Sequence, residues 1–198
     1  MFDPRLNPEP TSPTPPATAP GRARVDVGPR PPRLQRILAY RLFWIVALVV
    51  YALDQLTKGW IVAQLEYPTY GPPFHIPVIP GFFNLVHVGN TGAAWSVFSG
   101  YGHWLALLAL ATLLAIFLWR RALGLPHRLP QLCFGLLCGG TVGNLTDRLR
   151  YGHVIDFLDF HFGDYIYPSF NVADMGIVCG VALYVIWSLK QPAEPAGQ

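Results

Sequence analysis

The side chains best suited to chemistry in this chain are a few carboxylates and carboxamides set in apolar sequence. Asp156 and Asp159 lie in the segment VIDFLDF, and Asp174 follows Asn171 by three residues. Two carboxylates that lie close together at a low-dielectric boundary cannot easily both ionise, so one keeps a proton near neutral pH. The ionised member can then activate water, and the protonated member can hydrogen-bond a scissile carbonyl and protonate the leaving amine. If the fold brings two of these acids together, the residue types point to peptide hydrolysis of the aspartic type.

Further polar side chains lie within or at the ends of apolar runs, where a bilayer penalises them. Asp54 and Lys58 are four residues apart and so share one face of a helix, where they can form an ion pair. Asn144, Asp147 and Arg148 share a face near the end of another apolar run. An ionisable group in a spanning helix usually has a partner or a function, so we expect one for each charged residue here.

Other kinds of chemistry remain open for the same residues. The cluster could conduct protons or bind a cation, although a transporter usually has more spans and places its charges near the membrane midplane. Nucleophilic catalysis has less support, because Ser96 and Ser99 lack the G-x-S-x-G setting of a serine hydrolase. The three cysteines have no C-x-x-C spacing and lie in apolar stretches, which favours small buried residues over metal ligands or a disulfide.

The composition indicates what kind of elements must position these residues. Hydrophobic residues make up 52% of the 198 residues and charged residues only 13%, and the mean hydropathy is +0.34. These values exclude a disordered solvating chain and a coiled coil, and they favour a small protein that crosses a membrane several times. The formal charge is only +3 and no basic stripe with interleaved aromatic residues occurs, so we expect no nucleic-acid partner.

Four apolar runs predict an all-α membrane protein with four transmembrane helices. A helix of twenty residues is about 30 Å long, which is enough to cross a bilayer. The runs cover residues 42–61, 100–119, 129–146 and 172–189. Between the first two runs, residues 74–88 are rich in β-branched and aromatic residues. This pattern predicts a small β-sheet platform on the membrane surface, within about residues 62–99.

The distribution of proline predicts three parts in the chain. Residues 1–36 are rich in proline and poor in apolar surface, so we expect a disordered arm. Residues 37–190 contain the four runs and form the membrane domain, and residues 191–198 form a short tail.

The basic residues predict how the chain is oriented in the membrane. Residues 59–119 contain no Lys or Arg, whereas Arg120, Arg121 and Arg128 lie between the second and third runs. The positive-inside rule therefore places both termini and that link in the cytoplasm, and the candidate site residues at the outer face. Arg148 and Arg150 break this rule, so we expect at least one of them to have a specific partner.

Five sequence motifs resemble those of a known family. In chain order they are LDQLTK at 53–58, NTGAAWSVF at 90–98, GGTVGNLTDR at 139–148, GHVIDF at 152–157 and FNVAD at 170–174. Together they resemble lipoprotein signal peptidase, also called signal peptidase II, of bacteria, and the resemblance covers about residues 40–190. Five motifs in a fixed order are far more specific than any one of them.

The resemblance implies a multi-pass aspartic endopeptidase of the bacterial inner membrane. Such enzymes remove the signal peptide from diacylglyceryl-modified prolipoproteins and cut just before the lipid-bearing cysteine. By motif, the catalytic pair is Asp156 and Asp174, whereas Asp147 is expected to order the outer end of the third helix. The supporting or substrate-binding residues implied by the motifs are Asp54, Lys58, Asn90, Asn144, Arg148 and Asn171.

The resemblance also carries expectations about partners and helix packing. We expect a monomer that works among membrane lipids on a prolipoprotein substrate, without a metal or organic cofactor. Gly139, Gly140 and Gly143 leave room for close approach between helices or for the substrate helix. One departure from the family pattern is Trp95, where Phe is more frequent; because both are aromatic, we expect little consequence.

Two readings compete with the peptidase. The first is a small non-enzymatic membrane protein, such as a proton or cation pathway built from the same acids. The second is a membrane adaptor that works through its proline-rich arm, and it predicts that deleting residues 1–33 abolishes function.

Overall fold

The structure is a computed structural model that describes residue 35 and residues 38–71, 74–93 and 97–191. Within these ranges it contains four α-helices and four β-strands. In chain order they are α1 (Arg41–Gln64), β1 (Ile76–Ile79), β2 (Phe83–Asn90), α2 (Gly102–Trp119), α3 (Arg128–Tyr151), β3 (Val154–Phe162), β4 (Tyr165–Phe170) and α4 (Val172–Leu189). The predicted arm apart from residue 35, the tail after residue 191 and Trp95 lie outside the described residues.

Three of the four predicted spans are helices long and apolar enough to cross a membrane. They are α1, α2 and α4, and most of their large apolar side chains are exposed, as lipid contact requires. The third predicted span is a helix of 24 residues, α3, but its composition does not reach that of a membrane span. The physical reason is its central position, since thirteen of its residues are buried against other helices and many of them are small or polar.

Glycines allow α3 to lie directly against its two main neighbours. A Cβ atom at Gly139 would lie 2.6 Å from the carbonyl oxygen of Ala47 in α1, and one at Gly140 would overlap the carbonyl of Ala173 in α4. The close helix approach that this glycine run predicts is therefore present on both sides of α3, with no space left there for a substrate helix.

The four strands form one antiparallel sheet in the order β1-β2-β3-β4. Its inner face packs on the last turn of α1, where Ile61 and Leu65 meet Ile155 and Phe157. The sequence analysis located strands only within residues 62–99, but β3 and β4 lie in residues 154–170. Strand pairing is non-local, and the acids of VIDFLDF conceal the apolar alternation that usually indicates a strand.

The helix bundle has two distinct ends. At the sheet end lie the last turns of α1 and α3 and the first turns of α2 and α4. At the far end, a second apolar cluster around Ile116, Leu125, Phe134 and Cys138 joins side chains from all four helices. The polar residues singled out by sequence lie towards the sheet end.

Candidate active site

Asp156 and Asp174 approach one another through the link between β3, β4 and α4. Asp156 is the third residue of β3, and Asp174 is the third residue of α4, which begins directly after β4. Beside Asp156 the pairing register shifts, so that β2 has one extra residue between Leu85 and Val88. Bulges of this kind often re-aim a side chain next to a site. Asp156 is 2% exposed and Asp174 is half-buried.

Asn171 connects these two acids. Its side-chain oxygen accepts a hydrogen bond of 2.9 Å from the backbone N–H of Asp174, and its own N–H donates to Oδ2 of Asp174 at 3.3 Å. This reciprocal capping box starts α4 and fixes the Asp174 side chain. The amide nitrogen of Asn171 donates to Oδ1 of Asp156 at 2.7 Å, so a single residue holds both carboxylates.

Two further asparagines hold the opposite sides of the pair. Asn90, at the end of β2, donates to Oδ2 of Asp156 at 3.0 Å. Asn144, in α3, donates to Oδ1 of Asp174 at 2.7 Å. Both carboxylates are therefore fixed by neutral amide donors, which orient them without placing a full positive charge on either one.

The surroundings shift the proton affinity of Asp156 strongly. Burial, which disfavours the charged form, together with the nearby charge of Asp174, raises the pKa of Asp156 from 3.8 to about 7. Hydrogen bonds from Asn90 and Asn171, and the charge of Lys58, act in the opposite direction. Asp156 can therefore hold or release a proton near neutral pH, which general acid–base chemistry requires.

Lys58 occupies the centre of a buried polar cluster beneath Asp174. Its ammonium group lies 2.9 Å from Oδ2 of Asp54, 2.7 Å from Oδ2 of Asp147 and 3.0 Å from Oδ1 of Asn144. The predicted ion pair between Asp54 and Lys58 is therefore present. Asn144 accepts a hydrogen bond from Lys58 and donates one to Asp174. The charge of Lys58 polarises the Asn144 amide and so strengthens its hydrogen bond to Asp174.

Asp54 ties this cluster to the first turn of α4. Its Oδ1 atom accepts a hydrogen bond of 2.9 Å from the backbone N–H of Ala173, the residue before Asp174. Gly143 is required beside it, because a Cβ atom there would overlap the Asp54 carboxylate. The position of Asp174 therefore depends on α1 and α3 as well as on its own helix.

Asp147 positions the other acid of the pair. Its Oδ2 atom accepts from the backbone N–H of Ile155 at 3.2 Å, while the carbonyl of Ile155 accepts from Asn171 at 3.3 Å. The peptide groups directly before Asp156 are thus held from both sides. Asp147 lies near the end of α3 that faces the sheet, and its contacts extend to the beginning of β3.

Gln55 is a site residue that the sequence analysis missed. Its side-chain amide donates to Oδ2 of Asp54 and to Oδ1 of Asp147, each at 3.1 Å, and so bridges two carboxylates. The available signal was a polar residue directly after Asp54 within an apolar run, in the motif LDQLTK.

Arg148 has the specific partner that its position predicts. It donates to the carbonyl of Gly92 at 2.7 Å and to that of Asn144 at 3.4 Å. Within the described residues it forms no ion pair with an acid. Its direct contact is with the segment after β2, where Asn90 accepts from the N–H of Gly92 at 2.9 Å.

Asp159 belongs to a separate contact in the sheet. Its Oδ2 atom lies 2.6 Å from the His161 ring and accepts from Asn84 at 3.3 Å. The structure therefore separates the two acids of VIDFLDF. Among the described residues, no group of three or more His, Cys, Asp or Glu side chains could hold a metal ion.

The sequence is similar to those of known proteins over most of its length. Residues 46–190 match the family model described as signal peptidase (SPase) II. The lipoprotein signal peptidase of Thermosynechococcus vestitus is 42% identical over 151 residues, covering 76% of this chain and 92% of that protein. The lipoprotein signal peptidase of Gloeobacter violaceus is 43% identical over 164 residues, covering 79% of this chain and 90% of that protein.

The fold is similar to that of a solved structure. A bacterial membrane enzyme solved by the in meso method at 2.3 Å resolution superposes with a TM-score of 0.67 at 29% identity. The match covers 77% of this chain and 93% of that one.

Proposed function

This chain belongs to the signal peptidase II family of lipoprotein-processing peptidases, and we propose that it removes prolipoprotein signal peptides with Asp156 and Asp174 as an aspartic pair. The observation that carries the proposal is the shared support from Asn171, which hydrogen-bonds to both acids.

Hydrolysis by this pair needs one proton between the two acids. The ionised carboxylate takes a proton from a water molecule as the water oxygen attacks the scissile carbonyl carbon. The protonated acid donates a hydrogen bond to the carbonyl oxygen as negative charge develops there. Collapse of the tetrahedral intermediate breaks the C–N bond, and the leaving nitrogen receives a proton from the pair. The proton belongs to the pair as a unit and not to either residue alone.

The asparagines suit this chemistry because they are neutral. A cation bound directly to each carboxylate would favour ionisation of both acids and remove the shared proton. Asn90, Asn144 and Asn171 orient the pair without this effect. Lys58 acts on Asp174 through Asn144 and forms ion pairs with Asp54 and Asp147.

The membrane setting follows from the positions of the charges. We place the peptidase in residues 37–190 of a multi-pass inner-membrane protein, with the buried α3 as a fourth spanning helix beside the three apolar ones. Arg41, Arg128 and Lys190 lie at the far end of the bundle, which is therefore cytoplasmic under the positive-inside rule. Both termini then lie in the cytoplasm, and the acid pair lies at the outward-facing surface of the inner membrane.

The proposed substrate has its scissile bond at that surface. The peptide bond before a diacylglyceryl-cysteine lies where the signal helix leaves the lipid, at the level of the acid pair. The sheet packs on the last turn of α1, and we expect it to support the lipid-bearing side of the bond. We expect a single copy of the chain to suffice, without a metal ion or organic cofactor, because all the groups used above come from one chain.

A cleavage assay with matched substrates tests this function. The full chain in lipid bicelles is given a diacylglyceryl-modified prolipoprotein, and in parallel the same protein without the lipid. We expect only the modified protein to be cut, with mass spectrometry placing the new amino terminus at the lipid-bearing cysteine. Equal cleavage of both substrates would contradict the proposed specificity. No cleavage of either, together with proton or cation flux in liposomes, would replace the peptidase with an ion pathway.

A further inference from the structure

A cavity lies at the far end of the bundle, away from the acid pair. Its volume is about 490 Å³, and it lies between the segment that leads into α1 and the beginning of α3. Arg41, Arg128 and Gln131 provide its polar lining, and Leu38, Leu42 and Pro126 provide apolar walls. None of its lining residues has a role in the peptidase mechanism.

The two arginines of this cavity differ from a third arginine at the same end. The Arg120 guanidinium donates to the carbonyl of Phe117 at 2.7 Å and lies over the Phe117 ring. Arg41 and Arg128 are exposed, and neither guanidinium group forms a hydrogen bond or ion pair with another described residue. No acidic residue of the described ranges lines the cavity. Two positive charges therefore face it without a described counter-charge.

Backbone dipoles add to this positive field. Both α1 and α3 begin at the cavity, with Arg41 and Arg128 as their first residues, and in neither helix does the residue before the first turn provide a side-chain cap. In α1, Gln131 accepts from one of the free N–H groups, that of Phe43. The amino terminus of a helix carries partial positive charge, so both helices favour an anion there.

Gln131 holds the backbone around the cavity in a fixed position. Its oxygen accepts from the N–H of Phe43 at 3.4 Å, and its nitrogen donates to the carbonyl of Ala39 at 2.9 Å. The beginning of α1 is thereby tied to the first turn of α3. A ligand would meet the two arginines on a fixed backbone and would not have to order it.

We propose that this cavity binds the phosphate headgroup of an anionic phospholipid. Basic pockets between spanning helices on the cytoplasmic side are suited to such headgroups. The guanidinium groups match phosphate oxygens, and the apolar walls match the glycerol and upper acyl segments. Basic residues anywhere at this end of the bundle would suffice to orient the protein in the membrane. A binding site, by contrast, depends on Arg41 and Arg128 in particular.

Thermal unfolding of the purified full chain, titrated with defined lipids, tests the proposal. We expect a saturable rise in unfolding temperature with phosphatidylglycerol and little change with phosphatidylcholine of the same acyl chains. Inorganic phosphate alone should give little change, because it leaves the apolar walls uncovered. The R41Q/R128Q variant should bind phosphatidylglycerol about a hundredfold more weakly, since the charge-assisted hydrogen bond to phosphate lost at each residue costs at least roughly tenfold.

The R120Q/R121Q variant is the matched control, because it removes the same charge from the same end of the bundle. It should keep the effect of phosphatidylglycerol. Equal losses in both double variants would overturn the proposal in favour of general surface charge. A full shift with inorganic phosphate would assign the cavity to a free anion instead. To check that each variant is folded, its unfolding temperature in phosphatidylcholine alone and its rate of prolipoprotein cleavage are compared with those of the wild type.

Discussion

The side-chain amide of Asn171 donates a hydrogen bond of 2.7 Å to Oδ1 of Asp156. The same asparagine caps α4 and exchanges two hydrogen bonds with Asp174. The beginning of one helix and the third residue of a strand are therefore fixed by one side chain. This contact couples the geometry of the pair to the fold, because a shift of α4 would move both acids.

The pH dependence of cleavage should report the proton that the pair shares. Since the pKa of Asp156 is raised to about 7, the pair loses its shared proton as the pH rises through that value. We expect kcat/KM to decline above a pH of about 7. The N90A variant removes a donor that stabilises the ionised form of Asp156, so the pKa should rise and the decline should move to higher pH.

The N84A variant is the control for that shift. Asn84 donates to Asp159, which lies outside the pair, so the pH profile should keep the wild-type position. An equal shift of the pH profile in N90A and N84A would contradict the assignment of the shared proton to Asp156 and Asp174. A wild-type kcat/KM that continues to rise above a pH of about 7 would also contradict it.

Replacement of Lys58 by Met should destabilise the protein severely. Lys58 is 2% exposed and forms ion pairs with two buried acids, so its loss leaves both without a counter-charge and costs roughly 3–5 kcal/mol. Chemical unfolding in detergent measures this change. The K190M variant, at the exposed end of α4, should unfold like the wild type; a similar loss in both would contradict the buried role of Lys58.

A methyl group at Gly140 should push α4 away from α3. The added Cβ atom would overlap the Ala173 carbonyl, one residue before Asp174, and such overpacking costs about 1–3 kcal/mol. We expect G140A to lose both stability and cleavage activity. In G59A the new atom has no neighbour within 4 Å, so this variant should keep both. Unchanged unfolding of G140A would show that the two helices have freedom to separate.

Gln55 should matter through the two acids that it bridges. In Q55L, Oδ2 of Asp54 keeps its contact with Lys58, but Oδ1 of Asp147 loses the donor that the structure gives it, and a buried acceptor without its partner costs about 1–3 kcal/mol. We expect lower stability and a lower kcat, because Asp54 holds the first turn of α4. The matched variant Q64L changes an exposed glutamine of the same helix and should behave like the wild type. If Q55L also unfolds and cleaves normally, the bridge has no energetic role.

The sequence predicted the parts of the site that depend on local periodicity. Asp54 and Lys58 are one helical turn apart, so their ion pair follows from the spacing alone. Asn171 and Asp174 are three residues apart at a helix start, and this spacing allows the capping box that the structure contains. The spacing alone did not show that Asn171 precedes the helix as its cap and does not lie within it.

The contacts that escaped prediction join residues far apart in the chain. Gln55 meets Asp147 across 92 residues, and the register shift beside Asp156 depends on how β2 pairs with β3. No local pattern specifies either one. The burial of α3 also could not be read from a local pattern. Its polar and glycine-rich sequence is explained by packing against helices on both sides, and a hydropathy profile does not detect such packing.

The rate of prolipoprotein cleavage by asparagine variants of the acids tests the central claim most directly. We expect D156N and D174N to lose at least about a thousandfold in rate while they remain folded, because each removes a group that transfers the proton. D147N should show a milder loss, mainly through stability, and D164N, in the exposed turn between β3 and β4, should show none. Wild-type rates in D156N or D174N, or complete inactivation of a normally folded D147N, would contradict the assignment of the pair.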